Sequence, residues 1–114
     1  MEERVENAVK FYLEHRGYEI VDEVDGFIIA YDDEHDAVVV IKYGWSDDMS
    51  VHVNPMSVHE FEQVAVKFLM TADETFNNVN VRHDVVDLHV IASNRAFIRH
   101  RVDALNGGDD VDIQ

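Results

Sequence analysis

Apolar residues recur along this chain at two spacings, one typical of helices and one typical of strands. In residues 2–16 the apolar side chains fall every three or four positions, and Gly17 follows as a helix stop signal. The segment 57–60, SVHE, is a capping box, in which side chains satisfy the free amides at the start of a second helix. The apolar face of that helix begins at Val58 and continues to about Met70. The pattern therefore predicts two helices.

Five segments rich in β-branched and aromatic residues predict strands. Three precede the second helix and two follow it: 18–21, 27–31, 37–43, 79–92 and 96–102. The run 37–41 is apolar at every position, which is typical of a strand covered on both faces, so we expect it at the centre of the sheet. The order α-β-β-β-α-β-β predicts an α/β fold in which two helices flank a central mixed sheet of about five strands.

The length and the cysteine content limit the organisation of the chain. With 114 residues we expect one domain at 1–106, followed by a flexible acidic tail at 107–114. No apolar run is long enough to cross a membrane, so we expect no membrane partner. The chain has no cysteine, which excludes disulfides and thiolate metal sites, and we expect a cytoplasmic protein.

The charge disfavours nucleic acid as a partner. There are 24 Asp and Glu residues against nine Lys and Arg, which gives a formal net charge of −15. Such a surface repels phosphates, because nucleic-acid affinity depends mainly on cationic contacts. An acidic surface fits a saline host or a basic protein partner. Arg95, Arg99 and Arg101 are clustered, and we expect them to form a binding strip for an acidic partner or for a second copy of the chain.

The seven histidines do not have the spacing of a metal motif. His83 and His89 share one side of a predicted strand but are six residues apart, too far to meet directly. His52, His59 and His100 show no HxH or HExxH spacing, so we expect no metal site built from them. A structural hydrogen bond between strands is the expected role of His100.

Three fragments of the chain resemble one known family. The first helix contains Glu6, Val9 and Tyr12-Leu13, and Gly17-Tyr18 follows it. Two C-terminal fragments lie at 82–86 (RHDVV) and 98–105 (IRHRVDAL). In order and spacing these fragments resemble the YraN-type family of small predicted endonucleases. That family belongs to the restriction-endonuclease-like PD-(D/E)xK superfamily and is related to the archaeal Holliday-junction resolvases. The resemblance covers almost the whole chain and implies a restriction-endonuclease-like fold.

The same resemblance implies that the active site is degenerate. Such nucleases bind Mg²⁺ with an Asp and with the Glu of a Glu-x-Lys motif, and the metal activates water and stabilises charge on the phosphate. The matching positions here are Phe27 and Val40, so only Glu6 and Lys42 persist of the family's site. The resemblance therefore implies a catalytically inactive domain without a cofactor, which acts as a binding or interaction module.

Two alternatives stay open at this point. Relocated carboxylates, with Asp25 and Asp84 as candidates, would restore a Mg²⁺-dependent endonuclease or a DNA-junction binder. Alternatively, the chain is an acidic oligomeric accessory protein that pairs through an exposed edge at 96–102. Lys42 itself has an ordinary interpretation, as a lysine at the end of a strand that reaches solvent or pairs with Glu6.

Overall fold

Two α-helices and six β-strands form the fold. The computed structural model describes residues 2–72, 74–106 and 110–113. The helices are α1 (Glu2–His15) and α2 (Val58–Thr71). The strands are β1 (Tyr18–Val24), β2 (Phe27–Asp32), β3 (Ala37–Ser46), β4 (Asn80–Ala92), β5 (Arg95–Arg101) and β6 (Asp110–Ile113). Single 3-10 turns occupy Glu74–Phe76 and Ala104–Asn106.

The strands form one mixed sheet in the order β1-β2-β3-β4-β5-β6. Neighbouring strands are antiparallel except β3 and β4, which run parallel and are joined through α2. The predicted α/β class, the mixed sheet and the two helices are confirmed. The sheet has one strand more than the five predicted, because β6 pairs with β5.

The added strand changes two expectations about the C-terminal part of the chain. Segment 96–102, predicted as an exposed edge, corresponds to β5, and β6 covers it, so β1 and β6 are the edges of the described sheet. Part of the predicted flexible tail, Asp110–Ile113, is this sixth strand. The rest of that tail, 107–109 and 114, lies outside the described residues.

Strand β3 lies inside the sheet and is buried on both faces, as its continuous apolar run predicts. Its first five residues, 37–41, are all buried, and they alternate between two separate cores. Ala37, Val39 and Ile41 face α1, whereas Val38 and Val40 face α2. This alternation decides on which side of the sheet every later residue of β3 lies.

Helix α1 covers one face with a narrow apolar stripe. Val5, Val9, Tyr12 and Leu13 are buried against the odd-numbered side chains of β3 and their neighbours on β2 and β4. Most of the remaining surface of the helix is polar, with Glu, Lys and Arg side chains that reach water, although Phe11 is also exposed. The stripe therefore explains why a 14-residue helix in which six residues are Glu, Lys or Arg docks on the sheet.

Helix α2 covers the other face and begins at the predicted cap. The amide of Glu60 donates to the Ser57 hydroxyl at 3.1 Å, which satisfies one free donor of the first turn. Val64, Ala65 and Phe68 form its buried face. The predicted burial of Val58 is wrong: this side chain is exposed at the first position of the helix, before the buried face begins.

A loop at 47–57 joins β3 to α2 and covers the end of the sheet beyond the helix. Segment 51–53, which has strand-like composition, is not a strand. The loop approaches β3 closely at Gly44, where an added side-chain carbon would lie 2.8 Å from Val53. Only glycine fits beneath the loop without a shift of Val53.

Both helices are 14 residues long, well under the roughly 20 residues that span a bilayer. No helix in the described ranges is long and apolar enough to cross a membrane.

Candidate functional site

A groove of about 510 Å³ lies where the start of α1 meets β2 and β3. Lys42 and Glu6, the two site residues that the family resemblance retains, both line it. The single tryptophan, Trp45, also lines the groove and is 43% exposed. The groove lining comprises Glu3, Val5, Glu6, Gly26, Phe27, Lys42, Tyr43, Gly44 and Trp45.

The two positions at which the resemblance expects metal-binding carboxylates are apolar and belong to the core. Val40 is 0% exposed and packs under α2. Phe27 packs against the same core and lies next to Ile28, whose partner across the strands is Ile41. Mg²⁺ and Mn²⁺ exchange hydration water for oxygen ligands, and neither side chain offers oxygen. These two positions therefore cannot hold such an ion.

Glu6 is engaged with its own helix. Its carboxylate lies 3.2 Å from the ammonium of Lys10, one turn further along α1. Lys10 also contacts Glu23 of β1 at 2.6 Å, and hydrogen bonds to Glu23 and Glu6 raise the pKa of the Lys10 ammonium. Within the described residues Lys42 forms no ion pair, so its predicted pairing with Glu6, which contacts Lys10 instead, is not formed.

Asp25, the first candidate for a relocated carboxylate, points to α2. It lies in the turn between β1 and β2 with a φ of 53°, and Gly26 beside it also has a positive φ. Its carboxylate accepts a hydrogen bond from the ammonium of Lys67 at 2.6 Å. Both side chains are largely in water, so this ion pair is a surface contact.

Asp84, the second candidate, is the centre of a closed network. The carboxylate is 0% exposed and accepts hydrogen bonds from side chains at 2.9 Å (Tyr18), 2.9 Å (Arg82 Nε) and 2.7 Å (His100 Nε2). The backbone amide of Asp103 donates to it at 3.0 Å. Both oxygens are thus occupied by protein donors.

The network keeps Asp84 charged. Burial by itself raises the pKa of a carboxyl, but the hydrogen bonds from His100 and Arg82 outweigh burial and lower the pKa of Asp84 to about 2. The Tyr12 hydroxyl lies 2.8 Å from the other ring nitrogen of His100, and burial raises the pKa of Tyr12 to about 12. This Tyr-His-Asp chain is closed to substrates, because all three side chains are buried.

Asp84 and Lys42 lie on opposite faces of the sheet. Asp84 pairs with Ile41 in the parallel β3–β4 register, and paired residues point to the same face. Ile41 belongs to the core under α1, so the next residue, Lys42, points the other way. The buried carboxylate of Asp84 is therefore not available to the lysine.

The predicted arginine strip is divided. Arg101 donates to Asp87 at 3.0 Å and to the carbonyl of Val53, which places it in the structure beneath the 47–57 loop. Arg99 lies 3.5 Å from His52. Arg95 stands exposed at the start of β5. The three arginines thus have different surroundings.

The Asp-rich turn between β2 and β3 is stabilised by its own hydrogen bonds. Asp32 accepts from Arg82 at 3.0 Å and contacts His35 at 2.8 Å. Burial would raise the pKa of Asp32, but His35 and Arg82 together lower it. The Tyr31 hydroxyl donates to Asp36 at 2.5 Å. Hydrogen bonding accounts for this composition, as in many turns.

Two of the histidines have structural roles. The predicted interstrand hydrogen bond of His100 is confirmed by its contact with Asp84. His83 donates from Nδ1 to the carbonyl of Val40 at 2.8 Å and accepts the amide of Met56 at Nε2 at 3.0 Å. Burial lowers the pKa of His83, so the ring is neutral near pH 7 and joins β3 to the loop.

The structure brings together a cluster of two histidines and one aspartate that the sequence did not predict. One ligand atom from each of His52, Asp87 and His89 lies within 4.8 Å of the others. Asp87 and His89 are two residues apart on a strand, which puts them on one face, and this spacing was a usable signal. His52 comes from the loop, and no spacing rule places it there.

Comparisons of the chain with protein-family models, with curated proteins and with solved structures give no significant match. The arrangement of side chains is therefore the basis for functional inference. It offers an open groove with a lysine and a tryptophan, a closed charge network, and a histidine cluster under a loop.

We predict that Asp84→Asn strongly destabilises the protein. The change leaves the buried Arg82 and His100 without their anion, and breaking a buried pair costs about 3–5 kcal/mol. Chemical denaturation at pH 7 measures this. Asp25→Asn is the matched control, because its exposed ion pair is worth under about 1 kcal/mol.

The pH dependence of the stability difference between wild type and Asp84→Asn tests whether Asp84 is charged. The folded pKa of Asp84, about 2, lies below the ordinary value of 3.8, so its stabilisation is complete above about pH 4 and is lost as pH falls towards 2. The stability difference between wild type and Asp84→Asn should shrink by about 2 kcal/mol over that interval. A difference that is constant with pH would show that Asp84 is not the charged centre.

Proposed function

We propose that this chain is a nuclease-like scaffold that binds a basic protein partner and does not hydrolyse nucleic acid. The observation that carries the proposal is the complete burial of Val40 in the core under α2. At that position the resembled family requires a carboxylate that reaches a metal. The restriction-endonuclease-like fold and the YraN-type likeness are part of the proposal, supported by the element order and by the sequence fragments.

Loss of the metal carboxylates removes two contributions to hydrolysis. A bound divalent cation lowers the pKa of its water and neutralises charge that develops on the phosphate. Lys42 is itself a cation and cannot replace either ligand. Asp25 is directed to Lys67, and Asp84 lies on the opposite face. Neither candidate for a relocated carboxylate supports an active nuclease at this groove.

The groove at Lys42 keeps features of a binding site. Its wall presents the exposed ring of Trp45, and its rim carries the carboxylates of Glu3 and Glu6. Aromatic side chains supply much contact area at low entropic cost, which is why they are enriched in interfaces. The rim charges and the net charge of −15 favour a segment with basic and apolar side chains.

Nucleic-acid binding receives less support. A phosphate backbone requires a cationic surface, and Arg101, the most buried candidate for one, is committed to Asp87 and Val53. Arg99 contacts the loop at His52. A reducing cytoplasm is the proposed location, since the chain has no cysteine.

We predict that the purified chain leaves branched, single-stranded and duplex DNA intact in the presence of Mg²⁺ or Mn²⁺. The physical reason is the lack of oxygen ligands at Phe27 and Val40. Gel analysis of labelled substrates measures this. Cleavage that is lost in Asp25→Ala or Asp84→Ala would contradict the proposal and would favour a divergent nuclease with relocated carboxylates.

We predict that a peptide of alternating lysine and leucine binds the groove and changes the fluorescence of Trp45, the only tryptophan. The matching peptide of glutamate and leucine should have no effect, because the rim is acidic. The double variant Glu3→Gln, Glu6→Gln should weaken lysine-peptide binding by about tenfold, since two rim contacts of up to 1 kcal/mol each are lost.

A charge-matched control separates the groove from the general acidity of the surface. Glu14→Gln, Glu62→Gln removes the same charge at two exposed sites outside the groove and should leave the affinity nearly unchanged. Equal weakening by both double variants would mean diffuse attraction and would overturn the groove as the binding site. Native mass measurement over a range of concentrations identifies a homo-oligomer, the alternative partner.

A further inference from the structure

His89 is a buried side chain whose polar atoms lack partners. It is 1% exposed on β4, and within the described part of the chain neither ring nitrogen has a hydrogen-bond partner. Native proteins satisfy the large majority of their buried polar atoms. An imidazole with both nitrogens buried and unpaired therefore indicates a ligand that would bind to it.

Two other donor groups converge on this imidazole. The ring of His52 lies edge-on to the ring of His89, with centroids 5.5 Å apart. Asp87 projects from the same face of β4, two residues before His89. One ligand atom from each of the three residues lies within 4.8 Å of the other two. A small cavity of about 60 Å³ lies among them, enough for a single ion.

The loop that carries His52 is held in place by specific contacts. The amide of Val53 donates to Asp87 at 2.5 Å, and Arg101 bonds both the carbonyl of Val53 and the carboxylate of Asp87. Gly44 allows the loop to approach β3. His52 is therefore placed over β4 by the hydrogen bonds of its neighbour Val53, and its own ring is exposed.

We propose that His52, Asp87 and His89 form a binding site for a divalent transition ion of the zinc class. Two imidazole nitrogens and one carboxylate oxygen are a common three-residue ligand set for Zn²⁺, with the fourth position left for water or for a ligand. Zinc bonds of about 2.0–2.1 Å place ligand atoms about 3.3 Å apart, and the three ligand atoms here lie within 4.8 Å of one another, so only a small movement of the exposed His52 ring is needed to bind the ion. Mg²⁺ and Ca²⁺ prefer oxygen and are excluded by the nitrogens.

The charges around the site nearly balance. Arg101 contacts Asp87, and Arg99 lies 3.5 Å from His52, so two cations oppose a metal ion. Asp87 supplies one negative charge, and Asp48 interacts electrostatically with His89. The nearby charges therefore neither favour nor oppose binding of the metal ion, and its affinity depends on the imidazole nitrogens. The site adjoins the peptide groove, because Gly44 and Trp45 line both cavities, but none of its three ligand residues lines the groove. The zinc proposal does not depend on the proposed function.

The test is a calorimetric titration of the full chain with Zn²⁺, repeated with Mg²⁺. We expect one Zn²⁺ per chain at micromolar concentration and no competition from equal Mg²⁺. His52→Ala and His89→Phe should each weaken Zn²⁺ binding by at least about tenfold, because even loss of a supporting residue around a metal costs that much. His59→Ala, an exposed histidine on α2, is the matched control and should bind normally.

A spectroscopic readout locates the ion independently of heat. Co²⁺ should give the visible absorption of a four-coordinate ion and should quench Trp45, which also lines the cavity. Both signals should disappear in His52→Ala, whose exposed side chain is removed without a change in the core. Failure of Zn²⁺ to bind, binding that is unaffected by His52→Ala, or equal loss in His59→Ala would overturn the site.

Discussion

The buried, ionised carboxylate of Asp84 is the interaction on which the rest of the fold depends. An uncompensated charge in a protein interior costs several kcal/mol, so the chain must bring donors to it from separate segments. Tyr18 of β1 and Arg82 of β4 bond it directly, and His100 of β5 joins it to Tyr12 of α1. A slip of one residue in β4 would turn Asp84 to the other face and leave this charge unpaired.

Because side chains alternate between the two faces of the sheet, the two faces have different contents. On the α1 face, polar side chains such as His100 and Arg82 form hydrogen bonds with Asp84. On the α2 face, Val40 fills the core and Asp87 fixes the loop above His89. Lys42 lines the groove beside the start of α1. The buried acidic residues of the strands hold the Asp84 network and the loop in place, and Asp87 is also the proposed zinc ligand. Phe27 and Val40 provide no carboxylate beside Lys42.

The sequence predicts much of the fold and the apolar character of positions 27 and 40. Apolar periodicity identifies the helices and the central β3, and the segment 57–60, SVHE, identifies the Ser57 cap. The family-like motifs predict that Phe27 and Val40 replace metal-binding carboxylates, which stays a prediction, and the structure places both side chains against the core under α2. The Asp84 network was not predictable, because its partners are up to 66 residues away along the chain and meet only through strand register. The contact between His52 and His89 likewise depends on the conformation of a loop. Strand β6 was not predicted because it is a short acidic segment that forms a strand only by pairing with β5.

Anomalous diffraction from crystals soaked in Mn²⁺ would show whether the groove beside Lys42 holds a metal, because it locates the ion and fixes the strand register together. We expect no manganese peak beside the Lys42 ammonium, because Phe27 and Val40 offer only hydrocarbon. A manganese peak there, bridged by two carboxylates, would refute the proposed loss of metal binding and would favour a working nuclease centre in the groove.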